Sequence, residues 1–253
     1  MTNYSEPAEP TELPLLAFNC RPEDIASTVL LIPFLGIETF KSSFEKVLLD
    51  FHAEGFFSGF TAESQKRRIS VIRTGTGSVR IIDAVLALRN CGVEQLAFAG
   101  TCGGLDSSLS LGDVVFGSHT AIIRDIEAVL ENHFSAPRLH ALAHLVPAGL
   151  AQAVLSCGQR SLHAAVASLP SIFLLKRELA EYLQKHQIAA VDLESAYLHQ
   201  VCPSLGLDPL IMLTVSDLPL SLPFDRLNKE QKRTVKNRHV QQVRTLINQL
   251  LME

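Results

Sequence analysis

The chain has 253 residues, enough for a large hydrophobic core, and its 47% hydrophobic and 19% charged residues are typical of a globular protein. A net charge of −4 gives no reason to expect nucleic acid or an anionic membrane as a partner. The five scattered cysteines show no metal-ligand spacing, which argues against a disulfide framework or a zinc site and favours the cytoplasm.

The N-terminus is acidic and contains prolines, which excludes a basic and then apolar signal peptide. No apolar run reaches the length of about 18 residues that a membrane span requires. Residues 1–14 are predicted to form a flexible tail, and residues 15–253 to form one domain without an internal linker or repeat.

Apolar runs and glycine breaks divide the first half of the domain into alternating elements. Strands are predicted at 28–35, 68–73, 95–99 and 111–116, and helices at 38–51 and 79–91. Residues 55–61 are predicted to be a loop, and glycine-rich turns are expected at 74–78 and 100–104. Residues 119–147 mix helical and strand signals and support no assignment.

The second half carries two acids, each placed after an apolar run. A strand at 188–194 ends in Glu194, the start of a crossover helix follows at 195–201, and a strand at 209–217 ends in Asp217. This order predicts two neighbouring parallel strands, so both acids should lie at the sheet edge where ligands of α/β proteins bind. The remaining predicted elements are a strand at 162–166, a helix at 174–185 and a last helix from Asn228 with Gln231 as its capping-box partner. The alternation indicates one α/β domain with a mainly parallel or mixed sheet.

The two acids each have a structural alternative to a catalytic role. Asp217 follows apolar or small residues, and buried carboxylates usually have a purpose, although a helix cap or a partner for an arginine would also explain it. Glu194 precedes a predicted helix, where an acid also complements the helix dipole.

The glycine-rich turns are also ambiguous. Gly75, Gly77 and Ser78 begin a helix and could present amide groups to an anion, or could simply turn the chain. They lack the third glycine of a dinucleotide fingerprint and the lysine of a P-loop. Cys102 has no neighbouring base and is interpreted as a small packing residue.

Five segments together resemble the superfamily of nucleoside phosphorylases and nucleosidases. This family includes purine nucleoside and uridine phosphorylases, methylthioadenosine/adenosylhomocysteine nucleosidases and futalosine hydrolases. The matching segments are 74–77 (TGTG), 100–104 (GTCGG), 111–115 (LGDVV), 191–196 (VDLESA) and 215–217 (VSD). Their order and spacing fit the family over most of residues 28–251.

The resemblance implies a single α/β domain with a central mixed sheet flanked by helices, assembled as a homo-oligomer, either a dimer or a hexamer. It implies a nucleoside as substrate, with no metal or organic cofactor. Glu194 would hold the ribose hydroxyls, and Asp217 would protonate or hydrogen-bond the purine nitrogen as the base leaves. The further positions that the resemblance assigns to substrate binding are Thr101, Cys102, Gly103, Leu193, Ser216 and Phe173.

The chain departs from the phosphorylases where they bind phosphate. Phe40 stands where the phosphorylases have a phosphate-binding arginine after the first strand. Phe98 stands where uridine-type phosphorylases have a second one. Residues 22–66, from which a neighbouring subunit would supply a third, contain no arginine. Phosphate among apolar side chains would pay a large desolvation cost. Arg73 or Arg80 could substitute.

Nucleosidases of this family instead place a glutamate after the first strand to activate water, and Glu38 lies at that distance. The resemblance therefore favours hydrolysis of the N-glycosidic bond of a purine nucleoside. A phosphate-dependent phosphorylase remains one alternative, and a non-catalytic nucleoside-binding relative remains the other.

Overall fold

One mixed sheet forms the centre of the protein. The computed structural model describes residues 13–54, 56–143 and 146–252, and ten strands of this sheet fall within them. The strands are β1 (Thr28–Ile32), β2 (Lys46–His52), β3 (Ser58–Ser64), β4 (Arg67–Arg73), β5 (Gln95–Gly104), β6 (Val114–Ile122), β7 (His140–Ala141), β8 (Ser161–Ser168), β9 (Ile188–Asp192) and β10 (Leu210–Asp217).

Helices cover both faces of the sheet, which confirms the predicted α/β class with a central mixed sheet. They are α1 (Leu13–Phe18), α2 (Glu38–Lys41), α3 (Ser78–Ala87), α4 (Ile126–Leu130), α5 (Ala148–Ser156), α6 (Arg177–Lys185), α7 (Ser195–Val201) and α8 (Lys229–Met252). Residues 1–12 of the predicted tail lie outside the described residues, and its last two residues open α1. Within the described residues, no helix combines the length and apolarity needed to span a membrane.

Part of the sheet closes on itself. Strand β5 pairs in parallel with β10, and β10, β6, β8 and β9 follow in order until β9 returns to the far end of β5. The other strands, β1, β4, β3 and β2, continue from the near end of β5 as an open sheet. The closed part therefore brings chain segments from distant parts of the sequence to the end of β5.

The helix predicted at 38–51 and the loop predicted at 55–61 were wrong. Only Glu38–Lys41 is helical, and β2 and β3 form an antiparallel pair instead. Burial alternates along β2, where Val47, Leu49 and Phe51 are more buried than their neighbours, including Leu48, and this period of two suits a strand rather than a helix.

The prediction that the strands carrying the two acids are parallel neighbours was also wrong. Strand β5 does not turn at Gly100 but continues to Gly104, and its end lies between β9 and β10. Strand β9 pairs with it antiparallel and β10 pairs with it in parallel. Gly103 permits this insertion, because a Cβ there would lie 2.8 Å from Pro219 Cγ and 3.3 Å from Val191 Cγ2.

The predicted start of the last helix agrees with the structure. The Asn228 amide donates to Gln231 Oε1 and the Gln231 amide donates to Asn228 Oδ1, each at 2.9 Å, which is the reciprocal pair of a capping box. Val243, Ile247 and Leu250 of α8 recur at helical spacing and are buried against the sheet.

A buried polar network joins α8 to β10. Thr214 Oγ1 lies 2.7 Å from His239 Nδ1 and also donates to Gln242. Gln242 Nε2 in turn donates to Gly112 O and to Gln159 Oε1, each at 2.8 Å. Burial lowers the pKa of His239 to about 4, so the imidazole is neutral near pH 7. The network holds the strand that ends in Asp217.

Candidate active site

Asp217 is the buried last residue of β10. Strand β10 pairs with β5, and the register places the buried Asp217 opposite Gly103. Ser216 Oγ lies 2.8 Å from Asp217 Oδ1 and 3.1 Å from the Cys102 carbonyl oxygen. Burial raises the pKa of Asp217 against the lowering effect of the Ser216 hydroxyl. A carboxyl group in this setting can hold a proton and donate it.

Glu194 occupies the N-terminal end of α7 and is only 4% exposed. Its Oε1 accepts a hydrogen bond of 2.5 Å from the amide of Gly77, which lies 117 residues earlier in the chain. Burial, followed by repulsion from Asp192, raises the pKa of Glu194 to about 8. The predicted glycine turn and one of the predicted acids are thus in direct contact.

Asp192 fixes the point at which β9 ends and α7 begins, and the sequence analysis missed this role. Its Oδ1 accepts a hydrogen bond of 2.5 Å from Ser168 Oγ, and its Oδ2 accepts from the Ser195 amide at 2.8 Å and from the Ser195 hydroxyl. The Ala196 amide donates to Ser168 Oγ at 2.8 Å. An acid inside an apolar strand, with a serine three residues later, was the available signal.

Cys102 links the two sides of the site. It is buried in β5, next to the position that pairs with Asp217. Burial raises the pKa of its thiol well above the usual range, and the charges of Asp192 and Asp217 add to the shift. The thiol is therefore a packing group rather than a nucleophile, and the two acidic segments lie on either side of it.

The other predicted substrate-binding residues near the acids are held by the same elements. Thr101 and Gly103 belong to β5, and Leu193 lies between Asp192 and Glu194. Gly75 and Gly77 have φ angles of 77° and 99°, a conformation that favours glycine, and Ser78 is the first residue of α3. Gly75, Gly77 and Ser78 thus form the turn that contacts Glu194, whereas Thr101 and Gly103 lie on the strand that pairs with β10.

Two predicted site residues lie at the surface. Phe173, in a short 3-10 helix, is 92% exposed and forms no ring contact with any residue that the structure describes. The Glu38 side chain is 73% exposed, and its Oε2 lies 2.9 Å from Lys41 Nζ. Glu38 follows β1, and β1 pairs in parallel with β4 so that Ile32 lies opposite Arg73. Glu38 is therefore on the same sheet edge as the glycine turn after β4.

The two arginines that could bind phosphate, Arg73 and Arg80, differ in the contacts that their side chains already make. Arg80 donates from Nε to Thr74 O at 3.0 Å and also donates to Phe56 O, and its guanidinium lies 4.6 Å from the Phe57 ring centroid. Arg73 is exposed at the end of β4. Arg80 is thus committed to holding the turn, and Arg73 is the more available cation.

The described ranges, 13–54, 56–143 and 146–252, contain no evident metal-binding site. No group of three or more His, Cys, Asp or Glu side chains there could hold a metal ion. The buried acids instead use serine hydroxyls and backbone amides as partners.

Comparison with known proteins identifies the family. Residues 30–251 match the family described as Phosphorylase superfamily. A DeoD-type purine nucleoside phosphorylase of Hahella chejuensis is 28% identical over 181 residues, which cover 70% of this chain and 73% of the relative.

Two solved structures share the fold. A Toxoplasma gondii purine nucleoside phosphorylase in complex with immucillin-H is 19% identical, with a TM-score of 0.73 and coverage of 92% of this chain and 95% of the other. A mutant MTAN of Helicobacter pylori with 5′-methylthioadenosine in its active site is 15% identical, with a TM-score of 0.71 and coverage of 88% and 98%. Because residues 30–251 match the family model, the chain belongs to the phosphorylase superfamily, which confirms the family that its five segments resemble.

Proposed function

We propose that this protein cleaves the N-glycosidic bond of a purine nucleoside, with water as the nucleophile. The observation that carries the proposal is the placement of two buried acids around the end of β5, with Asp217 on β10 and Glu194 after β9. The purine specificity rests on the curated relative, a purine nucleoside phosphorylase, and on the solved relative that holds 5′-methylthioadenosine.

Asp217 is the proposed general acid. Cleavage of the C1′–N bond leaves negative charge on the purine, and a proton from Asp217 neutralises it as the base departs. Burial raises the pKa of this carboxyl, so the proton is retained to higher pH than in an exposed aspartate. General acid assistance of this kind is worth about 10²–10⁴-fold in rate.

Glu194 is the proposed ligand of the ribose 2′- and 3′-hydroxyls. The Gly77 amide fixes one carboxyl oxygen, and this bond orients the group before the substrate arrives. Hydroxyls that donate to a carboxylate favour its ionised form, so sugar binding should lower the raised pKa of Glu194. Binding through remote hydroxyls can be used to distort the sugar toward an oxocarbenium-like transition state. Backbone of Thr101, Cys102 and Gly103, with Leu193, Ser216 and Phe173, completes the proposed substrate contacts.

Water is the proposed nucleophile because arginines are missing or engaged where phosphate would need them. Phe40 is buried, and Arg80 is bonded to two backbone carbonyls. Glu38 is the proposed acceptor of the proton from water, as in an inverting glycosidase. Its exposure and its ion pair with Lys41 mean that the loop after β1 must bring it to the sugar when substrate binds.

A phosphate-dependent reaction is the second candidate. It is favoured by the name of the curated relative and by the exposed position of Arg73 at the end of β4, close to the glycine turn. Phosphate bound there would replace water at C1′ and yield ribose 1-phosphate.

The two candidates, and a third in which the protein binds a nucleoside without cleaving it, differ in their products. The protein is incubated with adenosine, inosine or 5′-methylthioadenosine, with and without inorganic phosphate, and the products are separated by chromatography. We expect free base and free sugar in the absence of phosphate, with no acceleration when phosphate is added. A phosphate-dependent rate with ribose 1-phosphate would establish the second candidate, and intact nucleoside in every sample would establish the third.

Glu38→Gln tests the activation of water. We expect its turnover to fall by at least about 100-fold, because a neutral amide cannot accept the proton. The matched control is Glu94→Gln, since Glu94 is an exposed glutamate that precedes β5 at the opposite sheet edge. Full activity in Glu38→Gln would remove this glutamate from the mechanism and leave the roles of Asp217 and Glu194 standing.

The proposal also includes a homo-oligomer in a reducing compartment, the cytoplasm. Leu15 and Leu16 of α1 and Val79 of α3 are more than half exposed, and an apolar surface of this kind suits a subunit contact. The five cysteines are all free thiols. Sedimentation at low micromolar concentration measures the assembly, and a monomer at every concentration would contradict it.

A further inference from the structure

A second concave site lies beside α7, away from the two acids of the proposed active site. It has a volume of about 550 Å³ and is lined by β6, by the segment that follows it and by one face of α7. We call it the basic cavity, after Arg124, Arg138, His140 and His199, which lie on its wall. Neither Glu194 nor Asp217 belongs to its lining. Its chemistry is therefore independent of the reaction proposed above.

The basic cavity concentrates positive charge in a protein of net charge −4. Arg124 and Arg138 are both exposed, and neither forms an ion pair with any residue that the structure describes. Burial lowers the pKa of His199, and the charge of Asp208 only partly opposes that shift, so the positive charge of the cavity comes from the arginines. The lining holds these two arginines and no acidic residue, which leaves an excess of positive charge for a ligand to neutralise.

The floor of the cavity is preorganised. Thr120 is buried, and its Oγ1 lies 2.8 Å from His199 Nδ1, which ties β6 to α7. With Nδ1 engaged, Nε2 is the ring nitrogen that remains for a ligand, and its N–H can donate to an anionic oxygen. Two arginine forks and a fixed imidazole form a donor set suited to carboxylate or phosphate oxygens.

The size and the rest of the lining indicate an organic ligand rather than a bare inorganic anion. Sites for small organic molecules occupy about 300–1,000 Å³, and this cavity falls within that range. Ile122, Ala196 and Pro203 add apolar surface that a carbon skeleton can contact.

We propose that the basic cavity binds a small organic anion that carries at least two carboxylate or phosphate charges, at a site separate from the nucleoside. The arginines pair with the two charges, the His199 ring donates to one of them, and the apolar wall contacts the carbon skeleton.

Isothermal titration at low salt tests the proposal with citrate, fructose 1,6-bisphosphate and inorganic phosphate as probes. We expect citrate or fructose 1,6-bisphosphate to bind, and the double variant Arg124→Ala/Arg138→Ala to weaken that binding by at least about 100-fold, because charge-assisted hydrogen bonds are lost. Both arginines are exposed, so the variant should fold. The matched control is Arg233→Ala/Lys236→Ala, which removes the same charge from an exposed part of α8 and should change the affinity by less than about two-fold.

The two organic probes distinguish the sources of the charge, since tighter binding of citrate indicates carboxylates and tighter binding of the bisphosphate indicates phosphates. Binding that survives in Arg124→Ala/Arg138→Ala, or the absence of binding by either organic probe, would overturn the proposal. Phosphate that binds as tightly as the organic probes would overturn the assignment of an organic ligand. Glu194→Ala must retain the binding, because loss of binding there would move the anion to the sugar site. The Glu194→Ala variant therefore separates a failure of the cavity proposal from a failure of the proposed function.

Discussion

Asp217→Asn is expected to lower the rate of base release by about 10²–10⁴-fold, because asparagine has no carboxyl proton to give to the departing purine. The amide matches the carboxyl in size and can still accept from Ser216 Oγ, so β10 should keep its place between β5 and β6. The measurement is the steady-state rate of free base formation, with circular dichroism and thermal unfolding as checks on the fold.

A neighbouring acid provides the matched control for this prediction. Asp225 is exposed, and its charge acts on Asp217 from eight residues away in the chain. Asp225→Asn removes the same formal charge without removing the proposed proton donor, so its rate should stay within about three-fold of the wild type. Equal losses in Asp217→Asn and Asp225→Asn would show that general electrostatics, and not proton donation, limits the reaction.

Glu194→Gln is expected to lower kcat/KM by about 10–100-fold, because the sugar hydroxyls lose hydrogen bonds to a charged group. The amide oxygen can still accept from Gly77, so the glycine turn should stay in place. The loss should be smaller for a 2′,3′-dideoxynucleoside, which lacks the hydroxyls that Glu194 is proposed to hold. An equal loss for both substrates would contradict the sugar-binding role.

The same substitution is expected to stabilise the protein at higher pH. In the folded state the pKa of Glu194 is raised from 4.5 to about 8, so the native state holds its proton while the unfolded chain has already ionised. The wild type therefore loses stability as pH rises from 4.5 to about 8, and glutamine has no proton to lose. The variant's advantage in unfolding free energy should grow by about 2–4 kcal/mol across this window.

Urea unfolding at the two ends of that window measures the advantage. Glu94→Gln, at an exposed glutamate, is the control, and its unfolding free energy should match that of the wild type at both pH values. If the Glu194→Gln and wild-type stabilities differ by the same amount at both ends, the carboxyl has the same pKa in the folded and unfolded states, and the raised pKa of Glu194 is wrong.

Local patterns in the sequence predicted the elements that carry the acids. The helix at 195–201 agrees with α7, and the capping pair of Asn228 and Gln231 agrees with the start of α8. These features depend on side chains within a few residues of one another, so a local pattern contains the necessary information.

Long-range pairing decided what the sequence could not show. The order of strands around Gly103 depends on β5 passing between two strands that come much later in the chain, and a glycine-rich run is equally compatible with a turn. The segment 38–51 fits both the helical period of about 3.6 residues and the strand period of two, and pairing with β3 favoured the strand. No sequence pattern predicted the contact between Gly77 and Glu194, because 117 residues separate them.

The most direct test of the central claim is base release with the protein in molar excess over a purine nucleoside, in buffer without phosphate. If Asp217 and Glu194 act on one glycosidic bond, the wild type should convert the nucleoside completely to free base, and Asp217→Asn should leave it intact on the same timescale. An intact nucleoside with the wild type, or equal release by Asp217→Asn, would contradict the account.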